Sequence, residues 1–480
     1  MTAIMFQGTG SNVGKSIFVA GLCRLAKKKK ISVAPFKPQN MSNNSFVTID
    51  NGEIGRSQAF QAFSCGIEPH SDMNPVLLKP ESDSMCQIVL NGKVFKTIKA
   101  INYKFYKRRL LEVAYQSFLR LKEKYDLILV EGAGSPAEIN LRKNDIANMG
   151  FATRAKLPVV LIGDIDRGGV IAQIVGTKEV LSLNDRKLIS GFIINKFRGN
   201  PSLFEKGYEF IYKKTKWPGY GIIPWFEDCN KFPAEDSFDI NFKKKKEKKY
   251  KIVCLQLSRI SNFDDLDPLA QESDVSVVML KAGERIPNDT DFVIIPGSKS
   301  TINEILFIKK NKWDKDLKKH LDRGKHILGI CAGFQILGKE INDPNYFESK
   351  KKKIRGLGLL DISTFMQAQK KTIKVSALHI ESGLTYDGYE IHLGKTIGPD
   401  CKNPFSIING RDDGAISKNG LVMGSYVHGM FKDNLFRSFF LKKILGIESN
   451  YNYRKNLNKA LDDFSDIINK NIQVNKILNF

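Results

Sequence analysis

Short apolar runs rich in β-branched residues alternate with stretches of helical periodicity through the first half of the chain. The runs are IMFQG, ISVAPFK, LILVEGAG, PVVLIGDI and SGFIINKF; SIFVAGLCRLAKK and KRRLLEVAYQSFLRLKEKY are two of the stretches between them. Strands that are apolar throughout need cover on both faces, and amphipathic crossover helices supply it. The alternation therefore predicts a doubly wound, mostly parallel α/β sheet. A second series begins at KIVCLQL and continues through DFVIIPGS, HILGICAG and LVMGSYVHG. The chain has 480 residues, too many for one core. The reading is thus a first α/β domain over 1–240, a lysine-rich linker (NFKKKKEKKY, 241–250), a second α/β domain over 251–446 and a helical tail over 447–480. The stretch ESKKKKIRG (348–356) reads as an exposed loop, and no chemistry attaches to the tail.

Composition narrows the setting. The seven cysteines are scattered with no CxxC pair, which argues against a disulfide framework or a zinc site and for a reducing cytoplasm. No apolar run approaches the ~18 residues of a membrane span, and the N-terminus lacks the basic start and apolar stretch of a secretion signal. The net charge of +24 suits a nucleic acid, a membrane surface or a polyanionic substrate. Much of the lysine lies in short runs, for which a solvated surface is the simpler account.

The stretch GTGSNVGKS, Gly8 to Ser16, follows the first strand and opens a helix. Small residues there let backbone N–H groups close around phosphate oxygens. Gly8, Thr9 and Gly14 form the expected nucleotide loop, Lys15 neutralises the terminal phosphates and Ser16 holds Mg²⁺. The loop is a variant, because the glycine usually six places before the lysine is Thr9 here. Glu131 and Lys37 also fall at strand C-termini, the edge where open α/β sheets bind ligands. Glu131 is the expected carboxylate for Mg²⁺. Asp50, Glu53, Asp145, Asp164 and Asp166 add acids toward the same edge. Asp50 is taken with Ser16 and Glu131 as a metal ligand and Asp145 as a substrate-side group.

GICAGFQILG (329–338) carries different chemistry. Glycines two before and two after Cys331 relieve crowding at a strand-to-helix turn, the logic of a nucleophile elbow with sulfur in place of oxygen. The helix N-terminus that follows favours the thiolate. Among the six histidines, His428 in GSYVHGMF follows an apolar strand and is the best-placed base, with His392 in GYEIHLG the runner-up. The glycine turn in IIPGSKST offers N–H groups at Gly297 and Ser298 as an oxyanion hole, with that of Ala332.

These motifs resemble known families. PGSKST, GICAGFQ and YVHGMF, in that order, are similar to class I glutamine amidotransferase domains. GTGSNVGKS, FKP and VEGAG resemble the ATP-dependent carboxylate-activating proteins related to dethiobiotin synthetase. APFKPQNMSNNS, GEIGRSQA, DMNPVLLKPESD, VEGAGSPAEINL, DIANMGFA, DIDRGGV, RISNFDDLDPL and GYEIHLG together resemble the cobyric acid synthase family, from about residue 4 to about residue 446. The resemblance makes Cys331 the nucleophile and His428 its partner. Ordinary class I domains carry His-x-Glu, whereas His428-Gly-Met430 has no glutamate, so the resemblance implies a Cys331–His428 dyad, and the group that orients His428 is open.

The resemblance implies an ATP- and glutamine-dependent amide ligase acting on the b, d, e and g carboxylates of adenosylcobyrinic acid a,c-diamide. Its partners are then a corrinoid polycarboxylate, ATP with Mg²⁺, and glutamine, without nucleic acid; a homo-oligomer is compatible with this. The nearest alternative is the sister enzyme that amidates the a and c carboxylates. A deviant-loop partitioning ATPase would suit the charge, but that class has an early loop lysine, which Gly8–Val13 lacks, and leaves Cys331 unexplained.

Overall fold

The computed structural model describes residues 2–82, 84–233 and 248–478. Most of the lysine-rich stretch expected as a linker lies outside them. The chain divides into two compact units: Met1–Ser42, Thr48–Phe232 and Asn456–Phe480 form one, and Asn43–Val47 with Pro233–Lys455 form the other.

The first unit is built on six parallel strands: β1 (Thr2–Gly8), β2 (Val33–Phe36), β3 (Leu127–Glu131), β4 (Val159–Asp164), β5 (Ile189–Phe197) and β6 (Gly219–Pro224), in the order β6-β5-β4-β1-β3-β2. Strands β2, β3 and β4 are buried along their whole length, as their uninterrupted apolar runs require. Helices α1 (Lys15–Lys28), α2 (Arg56–Cys65) and α3 (Lys107–Lys124) are among those that cover the sheet. On α3, Leu110, Ala114, Ser117, Phe118 and Leu121 form the buried stripe of a 3.6-residue period. Phe36, Phe118 and Phe151 meet in its core with ring centroids 5.3–5.6 Å apart. On one side of β1 the strands step outward in chain order, β4, β5, β6; on the other the chain crosses to β2 at the edge and returns through β3, so the topological switch lies between β1 and β4, where β1 leads into the Gly8–Gly14 loop.

The expected run SGFIINKF is the fifth strand. The sixth, Gly219–Pro224, falls outside the predicted series; its two glycines and proline break the strand pattern. A separate four-stranded sheet (Gln39–Met41, Val76–Pro80, Met85–Leu90 and Lys93–Lys99) was likewise not foreseen.

The tail returns to this unit. Its long helix, Tyr453–Asn471, buries Leu457, Ala460, Leu461, Phe464 and Ile468 at helical spacing. Gly21 of α1 makes room for it, since a Cβ there would lie 2.5 Å from Ile468 Cδ1 and 2.7 Å from Phe464 Cδ1. Arg24 donates to both carboxylate oxygens of Asp462, at 2.7 and 3.1 Å, and Phe464 packs against Phe226 and Phe232. Beyond the helix, Gln473 N donates to Tyr220 O at 2.8 Å.

The second unit has a sheet of β7 (Tyr250–Leu255), β8 (Val275–Leu280), β9 (Phe292–Ile295), β10 (His326–Ile330), β13 (Ala415–Ile416) and β14 (Val422–Ser425), ordered β8-β7-β9-β10-β14-β13 and parallel except at the β13 edge. Two long antiparallel strands, β11 (Lys371–His379) and β12 (Thr385–His392), belong to a smaller sheet of this unit. Among the described residues, no helix is long and apolar enough to cross a membrane.

Candidate active sites

In the first unit the chain turns from β1 through Gly8–Gly14 into α1. Gly14 has φ 92°, a left-handed conformation that favours glycine, and is the residue before the helix. Gly8 is needed for space: a Cβ there would lie 2.6 Å from Val13 and 2.9 Å from Lys15 Nζ. Lys15 Nζ donates to Gly10 O (3.0 Å) and Gly134 O (3.1 Å), so the loop and the VEGAGS turn after β3 converge on the ammonium. Ser16 Oγ donates to Glu131 Oε1 at 2.8 Å, and Lys37 Nζ reaches the same oxygen at 2.8 Å. Gln61 Nε2 takes the other carboxylate oxygen at 2.6 Å. Lys15, Ser16, Lys37 and Glu131, far apart in sequence, are thus brought together at one sheet edge. Ser16 and Glu131 present hard oxygens beside a phosphate loop, a donor set that fits Mg²⁺, which takes few protein ligands and keeps phosphate and water for the rest. Thr9 Oγ1 bonds Gln173 at 2.8 Å. From β5, Asn195 donates to Val13 O at 2.8 Å and Lys196 to Asn12 O at 2.6 Å, so two residues that sequence reasoning did not single out pin the loop.

Each of the acids read toward this edge has its own partner. Asp50 is held by the Ser71 backbone and hydroxyl and faces His70. Glu53 forms a buried ion pair with Lys79 at 2.9 Å, Asp164 pairs with Lys196 at 2.8 Å, and Asp166 with Arg198. No cluster of three or more metal-type side chains occurs among the described residues. Asp145 accepts from the backbone N–H of Ala147, Asn148 and Gly150 at 2.8–3.2 Å, which caps α4 (Met149–Ala155).

In the second unit, Cys331 links β10 to the short helix α5 (Ala332–Leu337) with φ 56° and ψ −108°, a strained conformation for a residue with a Cβ. The strain is over-determined: Cys331 N donates to Ser425 O at 2.8 Å, and Gly333 packs so closely that a Cβ would lie 1.9 Å from Ile295 O. Gln335 ties α5 down by donating to Leu393 O (2.7 Å) and Tyr426 Oη (3.1 Å). Cys331 is buried, and its Sγ lies 3.4 Å from Ile391 O.

His428 is fully buried beside it. Its Nδ1 is 2.9 Å from Asp265 Oδ2, and the other oxygen, Oδ1, accepts from Gly429 N at 2.6 Å. Burial alone would lower the imidazole pKa. The Asp265 carboxylate, with Cys331 adjoining, outweighs it and holds the ring up to about 10. With Nδ1 held by Asp265, Nε2 is the nitrogen left for chemistry. The group orienting His428 is an aspartate 163 positions upstream in RISNFDDLDPL, not a glutamate two positions on. Gly297 also belongs here: a Cβ at this position would lie 2.8 Å from His428 Cε1 and 3.2 Å from Nε2. The Gly297–Ser298 turn is fixed by Ser261 N donating to Gly297 O and Lys299 N to Arg259 O. His392, the runner-up base, instead stacks on Tyr426 with centroids 3.8 Å apart, with Nε2 3.5 Å from the buried Glu390.

The chain is similar to known proteins over its whole length. Residues 4–240 match the model of the CobQ/CobB/MinD/ParA nucleotide binding domain, and residues 251–436 that of the CobB/CobQ-like glutamine amidotransferase domain. A cobyric acid synthase of Jannaschia sp. is 55% identical over 460 residues, 96% of this chain and 95% of the relative. Those of Rhodobacter capsulatus and Bradyrhizobium diazoefficiens are 53% and 52% identical, covering 100% and 99% of this chain and 99% and 98% of the relatives.

Proposed function

This chain belongs to the cobyric acid synthase family, and we propose from that premise that its two sites divide one amidation between them. The enzyme is an ATP-dependent, glutamine-hydrolysing amide ligase. Its substrate is adenosylcobyrinic acid a,c-diamide, amidated at the b, d, e and g carboxylates; the family name favours this over the sister enzyme's a and c positions. A carboxylate is a poor electrophile, so in the first unit its oxygen attacks the γ-phosphorus of ATP, giving an acyl phosphate and ADP. Lys15 and the loop N–H groups hold the transferring phosphoryl group, and Lys37 adds positive charge at the same edge. Ser16 and Glu131 would hold Mg²⁺, which when bound neutralises phosphate charge. Asp50 and Asp145 stand further off: Asp145 shapes the loop that borders the site, and its carboxylate is a candidate for steering the substrate.

In the second unit the Cys331 thiolate attacks the side-chain amide carbon of glutamine. The oxyanion forms toward the N–H groups of Gly297, Ser298 and Ala332. The His428 imidazolium gives its proton to the departing nitrogen, releasing ammonia and leaving a γ-glutamyl thioester. Water, deprotonated by His428, hydrolyses the thioester to glutamate and restores the thiol. Ammonia then displaces phosphate from the acyl phosphate and forms the amide. Asp265 keeps Nδ1 protonated throughout, as the acid of a catalytic triad does.

The observation that carries this reading is the buried Asp265–His428 pair beside a strained cysteine. A reducing cytoplasm suits a thiol nucleophile, and all seven cysteines are free thiols. The test is incubation with ATP, glutamine and either cobyrinic acid or its a,c-diamide, followed by mass analysis of the corrinoid. Stepwise amidation of the diamide to cobyric acid supports the reading. Amidation of cobyrinic acid that stops at the diamide would assign the sister activity instead.

A further inference from the structure

The motif APFKPQNMSNNS contributes Lys37 to the phosphate site, but its last residues go elsewhere. Asn43–Val47 groups with the second unit, far ahead in sequence of the rest of that unit, which begins at Pro233. Asn44 Oδ1 accepts from Asn262 N at 2.9 Å, and Asn262 Oδ1 accepts from Ser45 N at 2.9 Å. All three residues are buried. This reciprocal pair holds Asn262 in a left-handed conformation, φ 52°, at the start of the turn that delivers Asp264 and Asp265. A second arm comes from Phe46, whose ring lies 5.2 Å from that of Tyr389. Tyr389 donates its hydroxyl to Asp264 at 2.7 Å, exchanges both backbone hydrogen bonds with His428 and stacks on its imidazole at 5.3 Å. Lys432 lies over both the Phe46 and Tyr389 rings and pairs with Asp264.

One arm therefore braces the backbone that carries Asp265, and the other braces the ring against which His428 lies. We propose that Asn44 and Phe46 are positioning residues for the Asp265–His428 pair, so that glutamine hydrolysis depends on a segment encoded in the phosphate-binding half of the chain. Both act through the residues that hold Asp265 and His428. Their effect is on the alignment of the imidazole with Cys331, where a misplacement of about 1 Å costs about 100-fold in rate. This inference rests on the assignment of Cys331, His428 and Asp265 above.

The experiment uses the full chain and measures kcat and KM for glutamine hydrolysis alongside amidation driven by ammonium. Asn44→Ala removes the acceptor for Asn262 N, and Asn44→Asp keeps an oxygen there. Phe46→Leu removes the ring from Tyr389 and leaves the asparagine pair intact. Asp265→Ala is the control. Asn44→Ala is expected to lower kcat with glutamine by about 10- to 100-fold, with KM and the ammonium-driven rate within about twofold of wild type and the alkaline limb of the pH profile moved to lower pH. Asn44→Asp should recover most of the loss, and Phe46→Leu should show the same kcat-selective defect. Glutamine turnover at the wild-type kcat in both Asn44→Ala and Phe46→Leu overturns the proposal. So does a defect confined to KM, or an equal loss with glutamine and ammonium. If Asp265→Ala itself hydrolyses glutamine normally, the reading of the site fails, and the proposal falls with it for a separately visible reason.

Discussion

Adding one methyl group at Gly297 tests whether the PGSKST turn is fitted to the histidine. In Gly297→Ala the new Cβ would lie 2.8 Å from His428 Cε1, 2.9 Å from Ser261 O and 3.2 Å from His428 Nε2. Carbon atoms rest at about 3.5 Å or more, so about 0.7 Å must be found. The Ser261 carbonyl has little to give, because the Ser261 and Lys299 amides lock the two segments together. The imidazole must yield, against its bond to Asp265 and its contact with Tyr389. Overpacking of this size costs about 1–3 kcal/mol of stability. A ring displaced by most of an ångström no longer lines up with Cys331, and glutamine turnover should fall by about 10- to 100-fold. Steady-state glutaminase kinetics together with ammonium-driven amidation provide the assay. The glutamine rate should fall while the ammonium rate persists. A Gly297→Ala enzyme that hydrolyses glutamine at the wild-type rate would show that the turn does not abut the histidine as described.

Asp265→Asn removes the carboxylate that helps raise His428 to about 10. The imidazolium should then deprotonate at lower pH, and the alkaline limb of glutaminase kcat/KM should move acidward, with kcat lowered by up to about 10⁴-fold as the tautomer is lost; an unmoved limb would detach Asp265 from the histidine. Lys15→Ala should abolish amidation while leaving glutamine hydrolysis measurable, since the role proposed for Lys15 lies only in the phosphoryl step; unchanged amidation would remove the phosphate loop from the mechanism. Phe464→Ala deletes a buried ring packed on Phe226 and Phe232 and should cost about 3–5 kcal/mol. A urea midpoint equal to wild type would show that the tail contributes no such packing to the first unit.

What could be read from the sequence was chemistry that sits within a few residues of a strand end. The phosphate loop and the cysteine elbow each combine a nucleophile or cation with small residues at fixed spacing, and those spacings survive folding unchanged. His428 was legible for the same reason, three residues past the end of an apolar strand. Asp265 was not. It stands among Asp264 and Asp267, and no local rule tells which of the three points at a histidine 163 positions away. For the acids Glu53, Asp164 and Asp166 the partner, not the residue, was hidden. Each lies near the right edge, but Lys79, Lys196 and Arg198 each claim one, and cations distant in sequence cannot be matched to them without the fold. Asn44 and the C-terminal helix share a further difficulty: both serve a unit other than the one their chain position suggests.

The central claim is that one unit makes ammonia and the other makes the electrophile. Cys331→Ser tests it most directly, because the hydroxyl is far less acidic than the thiol and forms no glutamyl intermediate at a useful rate. Amidation of adenosylcobyrinic acid a,c-diamide by this variant is measured with glutamine and, separately, with ammonium at mildly alkaline pH, with ADP release followed in both. The account predicts no product with glutamine and restored product with ammonium, one ADP per amide. Continued glutamine-dependent amidation, or a folded variant that ammonium does not rescue, would contradict it.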